Sequence, residues 1–177
     1  MVECTLACVR LEEANALGER EFVARLGGMF EHSPWVAERA WNQRPFRSVD
    51  LLHDAMNRIV REASQSEQLA LVRAHPELAG AEASEGVLTV DSSSEQGRLG
   101  FSALSKDEFL KMGELNRRYR EKFGFPCIVA LRLHNSRDGV MEEMQQRLRN
   151  DATTELANAL AQITHIARGR LAKVFGE

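Results

Sequence analysis

Only one stretch of this 177-residue chain, Cys127-Ile128-Val129-Ala130-Leu131, has the composition of a β-strand. A lone strand has no ladder to join, so a sheet is excluded as the organising element. Elsewhere apolar residues return at helical spacing. Phe22, Val23, Leu26, Met29 and Phe30 form one stripe. Leu51, Leu52, Ala55, Met56, Ile59, Val60 and Ala63 form the clearest, with Asp50, Asn57, Arg58 and Arg61 opposite. Phe109, Met112, Leu115, Tyr119 and Phe123 mark a further helix, and Val140, Met141, Met144 and Leu148 another. Leu156, Leu160, Ile163, Ile166, Leu171 and Val174 mark a long last one. The expected fold class is all-α, a single multi-helix domain over residues 1–177 without internal repeat or interdomain linker.

Local signals place the helix ends. Ser33-Pro34, Ser48, Ser66, Ser92-x-x-Glu95 and Ser105-x-x-Glu108 have the form of N-terminal caps, and Gly124 that of a C-terminal stop. Trp35 and Trp41, with Phe30 and Phe46, are most simply core aromatics. For Cys127–Leu131 two readings stand: the start of a buried helix after Pro126, which local structure alone favours, or irregular chain whose N–H groups face a ligand.

Composition narrows the function classes. Cys4, Cys8 and Cys127 are odd in number and make no C-x-x-C pair, so neither a disulfide framework nor a zinc ribbon is expected. No signal-peptide core and no apolar run of about 18 residues occurs, and the C-terminal Val174-Phe175-Gly176-Glu177 is no peroxisomal address; a cytoplasmic protein away from membranes is expected. Twenty-three basic against 26 acidic residues give a net charge of −3, without the basic excess that nucleic acid requires. His32, His53, His134 and His165 lack metal-ligand spacing, so no metal site is expected, and no P-loop, dinucleotide fingerprint or nucleophile elbow is present.

The chemistry concentrates around Ala74-His75-Pro76-Glu77-Leu78-Ala79-Gly80. A predicted helix over Leu69–Ala74 must stop there, because Pro76 has no N–H and pushes its neighbour out of helical geometry. This holds at a fixed boundary an imidazole able to exchange a proton near neutral pH. A loop of some 15 residues, Glu77 to Asp91 with Gly80, Ser84 and Gly86, follows, and long loops in compact domains are often functional. Glu95 is a second candidate, although on local grounds the cap is its simpler role; a helix N-terminus there would also seat an anionic or carbonyl-rich ligand. Arg170, taken singly, is a solvated arginine, yet turned inward its guanidinium would grip a planar carboxylate or imide.

Taken together, the runs Phe30-Glu-His-Ser-Pro-Trp35, Arg44-Pro-Phe46, Ala74 to Gly80, Ser92-x-x-Glu-Gln96, Leu115-Asn116, Phe123-Gly-Phe-Pro126 and Arg147-Leu148 resemble the 2-oxo-4-hydroxy-4-carboxy-5-ureidoimidazoline (OHCU) decarboxylases over about Leu17 to Val174. The resemblance implies an all-helical, cofactor-free, commonly homodimeric enzyme of uric acid degradation that turns OHCU into S-allantoin and carbon dioxide. It implies that His75 is the proton donor, that Pro76 lines the substrate, and that Ser92, Ser93, Ser94, Glu95 and Gln96 form a second substrate-binding stretch. Cys127, Ile128, Val129, Ala130 and Leu131 would form a third, and Arg170 a further contact, to ureido or ring-carbonyl groups. Cys127 departs from the family, which usually has Phe there. Decarboxylation leaves an electron pair that spreads into an enolate-like oxygen, and backbone N–H groups of Cys127 to Leu131 would supply the donors it needs. Glu95 would orient His75 or hold the 4-hydroxyl. The competing class is a non-catalytic helical interaction domain; a metal-dependent amidohydrolase is disfavoured by the missing ligand spacing.

Overall fold

The computed structural model describes residues 8–80, 83 and 85–177; Cys4 and Ser84 lie outside the described residues. Among them every regular element is helical. Among the described residues nine full α-helices run in the order α1 Leu11–Ala16, α2 Glu19–Leu26, α3 Trp35–Trp41, α4 Val49–Glu62, α5 Gln65–Arg73, α6 Val90–Arg98, α7 Lys106–Phe123, α8 Arg137–Arg147 and α9 Ala152–Phe175, with short 3-10 turns at Gly27–Met29 and Leu131–Leu133. None is long and apolar enough to cross a membrane. The chain divides into two units, Met1–Ser64 with Ala167–Glu177, and Gln65–Ile166.

In the first unit α2 packs on α3 and α3 on α4. Phe22, Leu26, Phe30, Val36, Leu52 and Met56 form its buried centre. Ser48 caps α4 as expected, its Oγ accepting from Leu51 N at 3.1 Å. The stripe from Phe22 to Phe30 is not one helix, because α2 ends at Leu26 and Gly27–Met29 tightens into a 3-10 turn. Leu51 leaves the apolar face of α4: it lies seven residues before the exposed Arg58, hence on the same side, and is half exposed. Asn57, expected opposite, is buried with Nδ2 3.0 Å from Nε2 of His53. The tryptophans are half-buried platforms for cations rather than core. Arg44 stands 4.3 Å from the Trp41 ring centroid and Arg39 4.5 Å from that of Trp35.

In the second unit α7 packs on α8, and α6 against the turn at Leu131–Leu133. Leu71, Met112, Tyr119, Met141, Met144 and Ile163 are fully buried. The capping box of α7 forms, with Ser105 Oγ accepting from Glu108 N at 3.3 Å and Glu108 Oε2 from Ser105 N at 2.8 Å. Gly124 ends the helix at φ +76°, where a side chain would be strained, and donates to Arg120 O at 2.8 Å. Ser66 is not a cap, since α5 already begins at Gln65. Phe109 is half exposed at the first turns of α7, outside the buried arc of Met112, Leu115, Asn116 and Tyr119.

Candidate active site

His75 sits where the sequence puts it. The last turn of α5 closes with Ala74 N on Ala70 O at 3.0 Å and His75 N on Val72 O at 3.3 Å, and Pro76 can donate nothing further. The imidazole is buried, with Nδ1 3.0 Å from Leu71 O. A carbonyl only accepts, so Nδ1 carries the hydrogen and the ring gains or loses its second proton at Nε2.

Side chains from two helices pin the loop that follows. Gln96 of α6 accepts from Ala79 N at 2.9 Å through Oε1 and donates to Glu77 O at 3.2 Å through Nε2. Asn116 of α7 donates to Leu78 O at 2.9 Å, and Arg120 reaches the Glu77 carboxylate at 2.8 Å. These bonds hold Ala79 at φ +48°, a left-handed conformation that costs a non-glycine residue free energy. Neither role is visible from sequence, where Asn116 belongs only to the Leu115-Asn116 motif and Arg120 to none.

Helix α6 begins three residues earlier than Ser92-x-x-Glu95 suggests. Thr89 is its cap, Oγ1 accepting from Ser92 N at 3.3 Å, so Ser92 lies inside the first turn and Glu95 in the middle of the helix. The capping-box role of Glu95 is therefore corrected, and with it the helix N-terminus as a ligand seat at Ser92. Ser92 and Gln96, one turn apart, are buried, Glu95 is half-buried, and Ser93 and Ser94 are exposed. Ser93 and Gln96 line a cleft of about 390 Å³ with Ala79, Phe101, Leu104 and Phe109.

Cys127–Leu131 is neither strand nor helix. It runs irregularly from Pro126 into the turn at Leu131, and all five residues are buried. The helix that local structure favours is excluded because three helices take hold of its peptide groups. Arg147 of α8 donates to Ile128 O at 2.7 Å, Gln162 of α9 accepts from Ala130 N at 2.7 Å, and Arg98 of α6 donates to Leu131 O. Among the described residues the N–H groups of Cys127, Ile128, Val129 and Leu131 meet no acceptor. Arg147 is itself fixed by the fully buried Glu155, whose Oε1 accepts from Nε at 2.8 Å and from the hydroxyl of Tyr119, and by Glu143 at 3.1 Å. Burial pushes the Cys127 thiol up to about 12, against the opposing pull of Arg147, so the sulfur stays protonated and is a poor nucleophile. Burial likewise raises the Tyr119 phenol.

In the second unit α6 therefore touches both stretches, Gln96 the loop after His75 and Arg98 the carbonyl of Leu131. Arg170 belongs to the first unit, and it is not solvated. It is 2% exposed, with Nη1 2.7 Å from Glu31 Oε2 and donating to Gly28 O at 3.1 Å. The guanidinium is turned inward, but on a carboxylate of its own chain. Among the described residues no group of three or more His, Cys, Asp or Glu side chains could hold a metal ion.

Comparison with known proteins adds a family. The model for OHCU decarboxylase matches residues 15–172. A 2-oxo-4-hydroxy-4-carboxy-5-ureidoimidazoline decarboxylase of Haloferax volcanii is 42% identical over 165 residues, 93% of this chain and 95% of the relative. A uric acid degradation bifunctional protein of a Bacillus species is 39% identical over 169 residues, 96% of this chain and 33% of that one. A crystal structure of (S)-allantoin synthase superposes with a TM-score of 0.75 at 27% identity, covering 94% of this chain, which spans only about half, 54%, of that one.

Proposed function

The chain belongs to the OHCU decarboxylase family, and from that premise we propose that it is a carboxy-lyase of uric acid degradation, converting OHCU into S-allantoin and carbon dioxide. The observation that carries the reading is the extent of the match, 42% identity through 95% of a relative named for this reaction. Residues 1–177 act as one catalytic domain, in the cytoplasm and as a homodimer, without a cofactor. This sets the enzyme above the non-catalytic interaction domain.

The chemistry follows from the substrate. The bond between C4 and its carboxylate breaks, carbon dioxide leaves, and the electron pair stays with the ring as an enolate-like species. One proton enters from one face at the carbon bearing the ureido group, fixing the S configuration, while the 4-hydroxyl becomes the ring carbonyl and its proton passes to a ring nitrogen. Turnover consumes one proton per carboxylate, and Nε2 of His75 supplies it, the ring being held by Nδ1 on Leu71 O. Pro76 lines the substrate, and Ser92 to Gln96 and the backbone of Cys127 to Leu131 bind it, the latter offering N–H donors to the developing oxyanion. Glu95, no longer needed as a cap, orients His75 or holds the 4-hydroxyl.

The test follows OHCU, made in situ from urate, by circular dichroism with and without the protein. Faster appearance of optically active S-allantoin is expected. Racemic product at the spontaneous rate would end the reading.

A further inference from the structure

A left-handed backbone suits glycine, because a Cβ crowds the neighbouring carbonyl oxygen there. Among the described residues only His32 and Ala79 take it without being glycine, at φ +46° and +48°. His32 is an exposed loop residue. Ala79 is half-buried, four residues after His75, and the peptide that joins it to Leu78 is gripped at both ends. Gln96 accepts from Ala79 N at 2.9 Å, and Asn116 donates to Leu78 O at 2.9 Å. Both bonds go to backbone atoms, so they would hold a glycine in the same turn. The methyl group is the one part of Ala79 that the turn does not need.

Two clefts meet at this residue. The first, of about 390 Å³, is lined by Ala79 together with Ser93 and Gln96 of the stretch read above as substrate-binding, and by Phe101 and Leu104. The second, of about 460 Å³, is lined by Ala79 together with Glu77, Asn116 and Arg120. Ala79, Gly80 and Phe109 line both. The strained residue therefore stands in the partition between two open spaces. Strain of this kind persists where the surroundings enforce it and gathers at sites that work on a ligand.

We propose that Ala79 is a specificity-determining residue: its methyl group narrows the cleft lined by Ser93 and Gln96 and packs against the ring of the bound substrate. This rests on the decarboxylase reading above. Such a contact is made with substrate and transition state alike, so its loss falls on KM rather than kcat. One buried methyl group is worth roughly a 4-fold change in affinity.

The experiment compares wild type, Ala79→Gly and Ala79→Asn in the same circular dichroism assay, with thermal melts of each. Glycine and asparagine both accept a left-handed backbone, but one removes the methyl group and the other fills the cleft. The expectation is a KM raised about 3- to 10-fold in Ala79→Gly with kcat little changed, and raised by about 10-fold or more in Ala79→Asn, at melting temperatures no lower than that of wild type. Wild-type KM in both variants overturns the proposal, since a residue kept for its backbone alone would give that result. A glycine variant that melts below wild type also overturns it, by assigning the methyl group to stiffening the loop. So does a loss confined to kcat, the mark of a smaller active fraction. If Ala79→Asn does not fold, Ala79→Gly alone decides by the same criteria. A wild type that does not accelerate S-allantoin formation would instead bring down the decarboxylase reading and the proposal with it.

Discussion

Replacing Glu155 by alanine should destabilise the protein by about 3 to 5 kcal/mol, the range for a buried ion pair robbed of one partner. The carboxylate is fully buried and accepts from donors only: Nε and Nη2 of Arg147 at 2.8 and 2.5 Å, the Tyr119 hydroxyl, and Nδ2 of Asn150 at 2.8 Å. Without it Arg147, 6% exposed, keeps Ile128 O and Glu143. Glu143 is more exposed and gives partial relief, which places the expected loss near the lower end, about 3 kcal/mol. At about 2 to 4 °C per kcal/mol for a chain of this size, the melting temperature should fall by roughly 6 to 12 °C. Urea and thermal unfolding followed by circular dichroism measure both quantities. Glu155→Gln should cost nearly as much, because its amide nitrogen would face another donor. The double variant Glu155→Leu/Arg147→Met removes both charges and should recover most of the loss. A cost for Glu155→Ala below about 1 kcal/mol, the range of exposed pairs, would refute the reasoning, as would a double variant no better than the singles.

His75→Asn should lower kcat by about 10² to 10⁴-fold with helicity unchanged; near-normal kcat would move the proton donor elsewhere. At pH 8 iodoacetamide should label the exposed Cys8 and spare the buried Cys127 in the folded protein, and mass spectrometry that finds Cys127 modified first would contradict its burial. The folded Cys127 thiol sits near 12, above its ordinary value of 9.0, so its contribution to stability is complete below pH 9 and fades as pH rises toward 12. Cys127→Ala should therefore lose less stability across that window than wild type, which alkaline urea melts will show. Light scattering should give about twice the 19.9 kDa chain mass, and a stable monomer would remove the homodimer.

What the sequence makes legible is local. Ser48, Ser105 and Gly124 act within one turn of themselves, so each can be read from its neighbours. Ser92 fails for the same local reason: Thr89, three residues upstream, offers an equivalent hydroxyl, and nothing in the pattern chooses between the two registers. Cys127–Leu131 is visible as an anomaly, but the side chains that shape it come from three helices far apart in the chain. Glu155 hides because an acidic residue in the first turn of a helix ordinarily faces solvent and the helix dipole. Its phase with Ala159 and Ile163, both buried, was the signal available. The burial of Arg170 is not legible locally because its partner Glu31 lies near the other end of the chain.

The Gln96 side chain meets the backbone of Glu77 and Ala79 as another peptide would, giving a hydrogen to a carbonyl and receiving one from an N–H. Among unbranched side chains of this length only the primary amide does both at neutral pH. Glutamate would set its charge against the Glu77 carbonyl, lysine would offer a donor where an acceptor is required, and asparagine is one methylene too short to span the same gap. The loop beside His75 therefore borrows one rung of its backbone from a side chain, and that position should tolerate substitution as poorly as a main-chain atom would, however conservative the exchange looks by size or polarity.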